Sequence, residues 1–245
     1  MRRKRLWAIV LVALVGLAWL GGRLGPAWYL QASANPEFFA SDVAKFATAD
    51  RDHPPPERPI VFVGSSSIRL WDTLQRDMAP LPVMNRGFGG ARLSTVVYFV
   101  DSVVIRYRPR AVVLYAGDND LDGGQSPEDV LRDFEAFVSR VETALPETRI
   151  YYLSIKPNLR YWSNWPRYRE ANAKIQAICA NDPRLAFIDV ATPLLANGQP
   201  PPRELYGFDQ MHLSARGYAL WAGIVRTHLQ ENLSEAARPV TSSAP

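Results

Sequence analysis

The stretch PIVFVGSSSIRLW, residues 59–71, runs an apolar, β-branched segment into a glycine and three consecutive serines. Such a run, bounded by turn residues, reads as a short strand buried on both faces. Four more runs share the pattern: PVMNRGF (82–88), AVVLYAG (111–117), RIYYLSI (149–155) and LAFIDV (185–190). Each is separated from the next by enough chain for a helix. The clearest helix is predicted over Ser126–Leu145, where Val130, Phe134, Phe137, Val138 and Val141 recur at helical spacing. It opens on Ser126-Pro127-Glu128-Asp129, a capping serine followed by proline and first-turn acids. A last helix is predicted over about Ser214–Leu233. Alternating helices and apolar strands predict an α/β fold with a five-stranded parallel sheet covered on both faces. Ligands of such sheets bind beyond the carboxyl ends of the strands.

Outward from that body the composition changes. The chain has 245 residues, 47% hydrophobic and 21% charged, which excludes a wholly disordered or fibrous protein. Its +4 formal charge is local: five of the 28 basic residues (Arg2, Arg3, Lys4, Arg5, Arg23) precede residue 35, where there is no acid. The remainder balances the 24 acidic residues to within one charge, so nucleic acid is not an expected partner. Residues 1–34 read as an N-terminal transmembrane anchor or signal segment, with a basic head and an apolar run from Leu6 to Gly22. Ala32-Ser33-Ala34 offers a cleavage pattern for the signal alternative. Charge asymmetry places the body outside the cytoplasm, periplasmic or at the cell surface, anchored or secreted. Residues 35–58 read as a polar connection ending in DHPPPERP, which is neither regular helix nor interior strand. The domain proper spans 59–235, and the tail 236–245 is expected to be disordered. The lone Cys179 excludes an internal disulfide and a cysteine-cluster zinc site. There is no internal repeat.

Three strands end in unusual sequences: Gly64-Ser65-Ser66-Ser67, Gly87-Phe88-Gly89-Gly90 and Asp118-Asn119-Asp120. Asp209-Gln210-Met211-His212-Leu213 precedes the last helix. A serine nucleophile needs a base, usually histidine. Of the three histidines, His53 precedes prolines and His228 lies late in the last helix, which leaves His212. Asp209, three residues earlier, is placed to orient its ring. The Gly90 backbone N–H and the Asn119 side-chain amide are then candidate oxyanion donors. Each residue also has a plainer reading: the serines as a helix cap, the glycines and Asn119 as turns, Asp209 as a cap and His212 as a surface residue.

Together VFVGSSSIRLW, NRGFGG, GDND and DQMHL resemble the four blocks of the SGNH, or GDSL-like, hydrolases, in order and over about residues 59–225. The resemblance implies a three-layer α/β/α sandwich with a flavodoxin-like sheet, and an ester or thioester hydrolase that needs no cofactor or metal. It assigns Ser66 as nucleophile, Asp209 and His212 as its partners, and Ser66, Gly90 and Asn119 as the oxyanion hole. It leaves three readings open: a serine esterase, an acyl or acetyl transferase with the same site, and a binding module with a relic site. The substrate would be a small-molecule, lipid or glycan ester. The chain departs from the family pattern at three places. Ser65 stands where aspartate is usual, Ala91 replaces a frequent aspartate, and Asp118 puts an extra carboxylate beside Asn119, which would either weaken that donor or select a cationic substrate.

Other signals are weaker. Asp118–Gly123 with Asp129 imitates a calcium loop, but a strand precedes it and Pro127 interrupts it. Gly87–Arg92 begins like a dinucleotide fingerprint and ends in arginine. Gly64–Ile68 lacks the last glycine of a nucleophile elbow. Tyr161, Trp162 and Trp165, clustered with arginines in NLRYWSNWPRYRE (158–170), are candidates either for substrate contact or for covering the sheet. Lys156-Pro157 is placed at the rim of the site, and Trp71 in the packing of the first helix.

Overall fold

Five strands form within two residues of the predicted runs: β1 (Ile60–Gly64), β2 (Val83–Gly87), β3 (Ala111–Tyr115), β4 (Arg149–Leu153) and β5 (Leu185–Ile188). They come from a computed structural model that describes residues 32–235. All pair in parallel, in the order β2-β1-β3-β4-β5. Successive side chains point to opposite faces. Val61, Val63, Val112, Leu114, Ile150 and Tyr152 therefore enter one hydrophobic layer, and Ile60, Phe62, Val113, Tyr115, Tyr151 and Leu153 the other. Leaving either face in water would forfeit about 1.5–3 kcal/mol for each large apolar side chain.

Helices supply both covers. In chain order they include α1 (Ala40–Asp52), α2 (Ser66–Arg69), α3 (Leu93–Tyr98), α4 (Asp118–Asp122), α5 (Pro127–Ala144), α6 (Trp165–Cys179) and α7 (Ala215–Glu235). Phe134, Phe137 and Val141 of α5 pack beside Tyr168 and Ile175 of α6 on the first face. Trp221, Val225 and Leu229 of α7 join Trp71 on the second. The result is the expected three-layer α/β/α sandwich. The start of α5 is a capping box: the Asp129 N–H donates to Ser126 Oγ at 3.1 Å, and the Ser126 N–H donates to Asp129 Oδ2 at 2.9 Å.

The segment 35–58 differs from its reading as a polar connection. Pro36–Phe39 forms a 3₁₀ turn and α1 follows, with Phe39 and Val43 buried in the first layer and Phe46 packed against it. Arg86, on edge strand β2, pairs with Asp50 of α1 and lies over the rings of Phe46 and Tyr107, 5.0 and 4.7 Å from their centroids. Three apolar residues at helical spacing are a weak signal among polar neighbours, and the buried ion pair joins residues 36 positions apart. Only the stretch 53–59, HPPPERP, behaves as the connection expected. The apolar run 6–22 and the tail 236–245 lie outside the described residues. Among the described residues, no helix is long and apolar enough to cross a membrane.

The strand order places the site. From β1 the chain moves to β2 on one side, and from β3 onward it builds the other side. Loops leaving the carboxyl ends of β1 and β3 diverge there, opening the crevice in which such sheets bind ligands.

Candidate active site

The backbone turn after β1 depends on one glycine. Gly64 has φ +135°, and a Cβ there would sit 1.8 Å from the Tyr115 carbonyl oxygen of the neighbouring strand. That close approach is closed to other residues. The next amide, Ser65 N–H, donates to the same carbonyl at 2.9 Å, and α2 then starts at Ser66. No serine side chain caps this helix, which removes the plainer reading of the triplet. Ser65 and Ser67 are fully buried, and Ser66 alone of the three lines the crevice, 7% exposed.

Ser66 Oγ lies 2.7 Å from His212 Nε2. On the far side of the ring, His212 Nδ1 contacts Asp209 Oδ2. A carboxylate only accepts, so the Nδ1 proton belongs on that side and Nε2 is left to accept from the Ser66 hydroxyl. The carboxylate also folds its own loop: Asp209 Oδ1 accepts from the backbone N–H of Met211 at 3.0 Å and of His212 at 3.1 Å. Burial by itself raises the Asp209 carboxyl, but the bonds from the His212 ring and the two backbone N–H groups outweigh it and hold the group below its ordinary value.

The two other loops close the crevice. Gly90 has φ +73°. Asn119 Nδ2 donates to the Ala91 carbonyl at 3.1 Å, and an amide NH₂ carries a second donor for a ligand. Asp120 is fully buried and accepts from Leu93 N–H at 2.9 Å, so the loop after β2 is braced from the loop after β3. A cavity of about 300 Å³ is lined by Ser66, Gly90, Asn119 and His212. Gly89, Arg69, Asp122, Arg160, Tyr161 and Met211 complete its wall.

Several expectations need correction. Asp118 does not face the crevice: it is 5% exposed, accepts from Tyr115 Oη at 2.9 Å and sits 3.7 Å from Lys156 Nζ. It therefore offers no charge to a cationic substrate. Lys156 is not a rim residue but wholly buried, with Nζ donating to the Met211 carbonyl at 2.9 Å. Burial pushes its pKa down, against the pull of Asp118. Of the three aromatic candidates only Tyr161 lines the cavity. Trp165 opens α6 and is buried against the sheet, and Trp162 stacks on it with centroids 6.2 Å apart. Trp71 packs in the core as expected. The acids that imitate a calcium loop diverge: Asp118 turns to Tyr115, Asp120 to Leu93, and Asp122 to Asn164 and Tyr168. Arg69, Asp122, Arg160 and Met211 also line the cavity, places that their positions in sequence do not announce. Arg69 is the exception, since it follows Ser66 by three residues on one helical face.

Burial raises the Asp120 carboxyl to about 7 and the Asp122 carboxyl to about 6. Between the unfolded value and these values the folded chain holds protons that the unfolded chain has released. Stability therefore falls as pH rises through that window, by ~1.4 kcal/mol per pH unit for each such group. Thermal denaturation is expected to give a Tm several degrees lower at pH 7 than at pH 5, and Asp120→Asn is expected to flatten that difference. An equal slope in Asp120→Asn would refute the assignment.

The sequence profile of the GDSL-like lipase/acylhydrolase family matches residues 62–220. The chain is 24% identical over 173 residues to platelet-activating factor acetylhydrolase IB subunit alpha2 of Gallus gallus, covering 66% of this chain and 72% of that protein. A Streptococcus pneumonia structure, provisionally assigned as a platelet activating factor, superposes with TM-score 0.69 at 20% identity, over 86% of this chain and 98% of that one. A GDSL-like lipase from Bacteroides thetaiotaomicron does so with TM-score 0.64 at 19% identity, over 81% and 98%. At those identities the structures share the fold. The family profile runs from within β1 into the first turns of α7, about the span of the four sequence blocks. On that match the chain belongs to the GDSL-like lipase/acylhydrolase family and is an ester-hydrolysing enzyme.

Proposed function

We propose that the chain is a serine esterase in which Ser66 attacks an acyl carbonyl, His212 takes the serine proton and Asp209 orients the imidazole. The observation that carries this reading is the unbroken chain from Ser66 Oγ through His212 Nε2, at 2.7 Å, to Asp209. The carbonyl oxygen becomes an oxyanion held by the N–H groups of Ser66 and Gly90 and by the Asn119 amide. His212 returns the proton to the departing alcohol, leaving an acyl-Ser66 ester. His212 then takes a proton from a water that attacks the acyl carbon and gives it to the departing Ser66 Oγ as the acid leaves. The basic head and apolar run at 2–22 support an anchor or signal that places the catalytic domain outside the cytoplasm.

A fluorophosphonate reacts with activated serines and tests the assignment directly. The full chain is expected to carry one adduct, mapped by mass spectrometry to the Ser66 peptide and absent in Ser66→Ala. An adduct elsewhere, or none on the folded protein, sinks the assignment. Product analysis with p-nitrophenyl acetate and an added sugar alcohol separates esterase from transferase. Free acetate as the main product supports the esterase, and acetylated acceptor in excess supports the transferase.

A further inference from the structure

Two arginines flank the candidate nucleophile from opposite sides. Arg69 ends α2, one turn beyond Ser66, so both project from the same helical face. Its guanidinium lies over the loop after β2: a Cβ on Gly89 would meet Nε at 3.0 Å and Cζ at 3.4 Å. This sets the charge beside Gly90. Arg160 stands on the other side, its backbone N–H donating to the Gln210 carbonyl at 3.2 Å and thereby tying it to the loop that carries His212. Its side chain is steadied by Tyr161, with the guanidinium 5.6 Å from the ring centroid. Both side chains are exposed, both line the 300 Å³ cavity, and neither forms a salt bridge among the described residues. The one carboxylate in the wall, Asp122, is engaged on its protein side by Asn164 Nδ2 at 2.8 Å and by the Tyr168 hydroxyl. Met211 and the Tyr161 ring are the large apolar side chains of the wall, and a cavity of about 300 Å³ holds a small ester rather than a long acyl chain.

Resting on the serine esterase reading, we infer that the substrate is a short-chain acyl ester carrying an oxyacid anion, phosphate or carboxylate, close to the scissile bond, held between Arg69 and Arg160. Guanidinium forks match both groups with paired N–H···O bonds. The same two charges lower the repulsion that such an anion imposes on a developing oxyanion.

The test compares, on the full chain, the acetate esters of glycerol, glycerate and glycerol 3-phosphate. The proposal expects kcat/KM at least about tenfold higher for an anionic ester than for the neutral one, roughly the effect of one charged hydrogen bond. The preference should shrink as ionic strength rises. Preference for glycerate over glycerol 3-phosphate, or the reverse, identifies the anion. Arg69→Gln and Arg160→Gln should each reduce the anionic-to-neutral ratio about tenfold; both sites are exposed, so folding is little affected. A neutral ester hydrolysed as fast as both anionic ones, in a Ser66-dependent reaction, overturns this proposal and leaves the esterase reading standing. Absence of Ser66-dependent hydrolysis of all three and of p-nitrophenyl acetate overturns both.

Discussion

His212→Ala is expected to lower kcat for p-nitrophenyl acetate by about 10⁴-fold or more, the range found when the base of a serine triad is removed. Among the described residues the His212 imidazole is the side chain hydrogen-bonded to Ser66 Oγ, at 2.7 Å, and its free ring nitrogen can accept the hydroxyl proton. Without it the hydroxyl stays protonated, and the departing alcohol has no acid to leave with. The fold should be almost untouched, because the loop is held by contacts that the substitution spares. Asp209 Oδ1 still accepts from the backbone N–H groups of Met211 and His212, and Gly207 N–H still donates to the His212 carbonyl at 2.8 Å. Steady-state kinetics beside a thermal melt checks both halves. A variant that keeps full activity would remove His212 from the mechanism.

The second large effect is one of stability. Lys156→Met should cost about 3–5 kcal/mol, the range for removing one partner of a buried ion pair. Lys156 is fully buried, and its ammonium sits 3.7 Å from Asp118 Oδ2 and 5.8 Å from the Tyr115 ring centroid. Methionine fills the space of the stem but leaves the Asp118 carboxylate in the interior with no cation. It also releases the Met211 carbonyl, so kcat should fall further than stability alone accounts for. Adding Asp118→Asn removes the stranded charge and should restore at least half of the lost stability without restoring the bond to Met211. Urea denaturation of the two single variants and the double variant gives the coupling. Simple additivity would show that the two charges do not interact.

The strands were legible because most are apolar on both faces and each ends in a glycine or polar turn, a pattern carried within six or seven residues. Helix α5 was legible for the same reason: its apolar stripe and its capping residues are local. Helix α1 was not. Only Phe39, Val43 and Phe46 mark its buried side, and its charged anchor, Asp50, finds Arg86 across 36 residues of chain. The serine, histidine and aspartate that meet at the crevice could be named in advance, because few residue types suit nucleophilic chemistry and Ser66 follows a strand while Asp209 and His212 precede the last helix. The direction of a side chain could not. Asp118 and Asp120 flank Asn119 in sequence, yet both turn inward, because Tyr115, Lys156 and the Leu93 amide offer them partners in the interior. Trp162 and Trp165 follow Tyr161 closely, yet the start of α6 turns them onto the sheet layer and leaves Tyr161 at the cavity.

By itself the sequence determined the fold class, the five strands and their parallel pairing, and the loops in which reactive residues gather, since these follow from hydrophobic periodicity and turn chemistry over short spans. Tertiary structure alone brought the Ser66 hydroxyl to an imidazole 146 residues away, and it alone decided which carboxylates face the crevice and which arginines line it. Those outcomes depend on which distant groups are packed close enough to form a hydrogen bond or an ion pair. Such forces act over a few ångströms of space and leave no periodic trace along the chain.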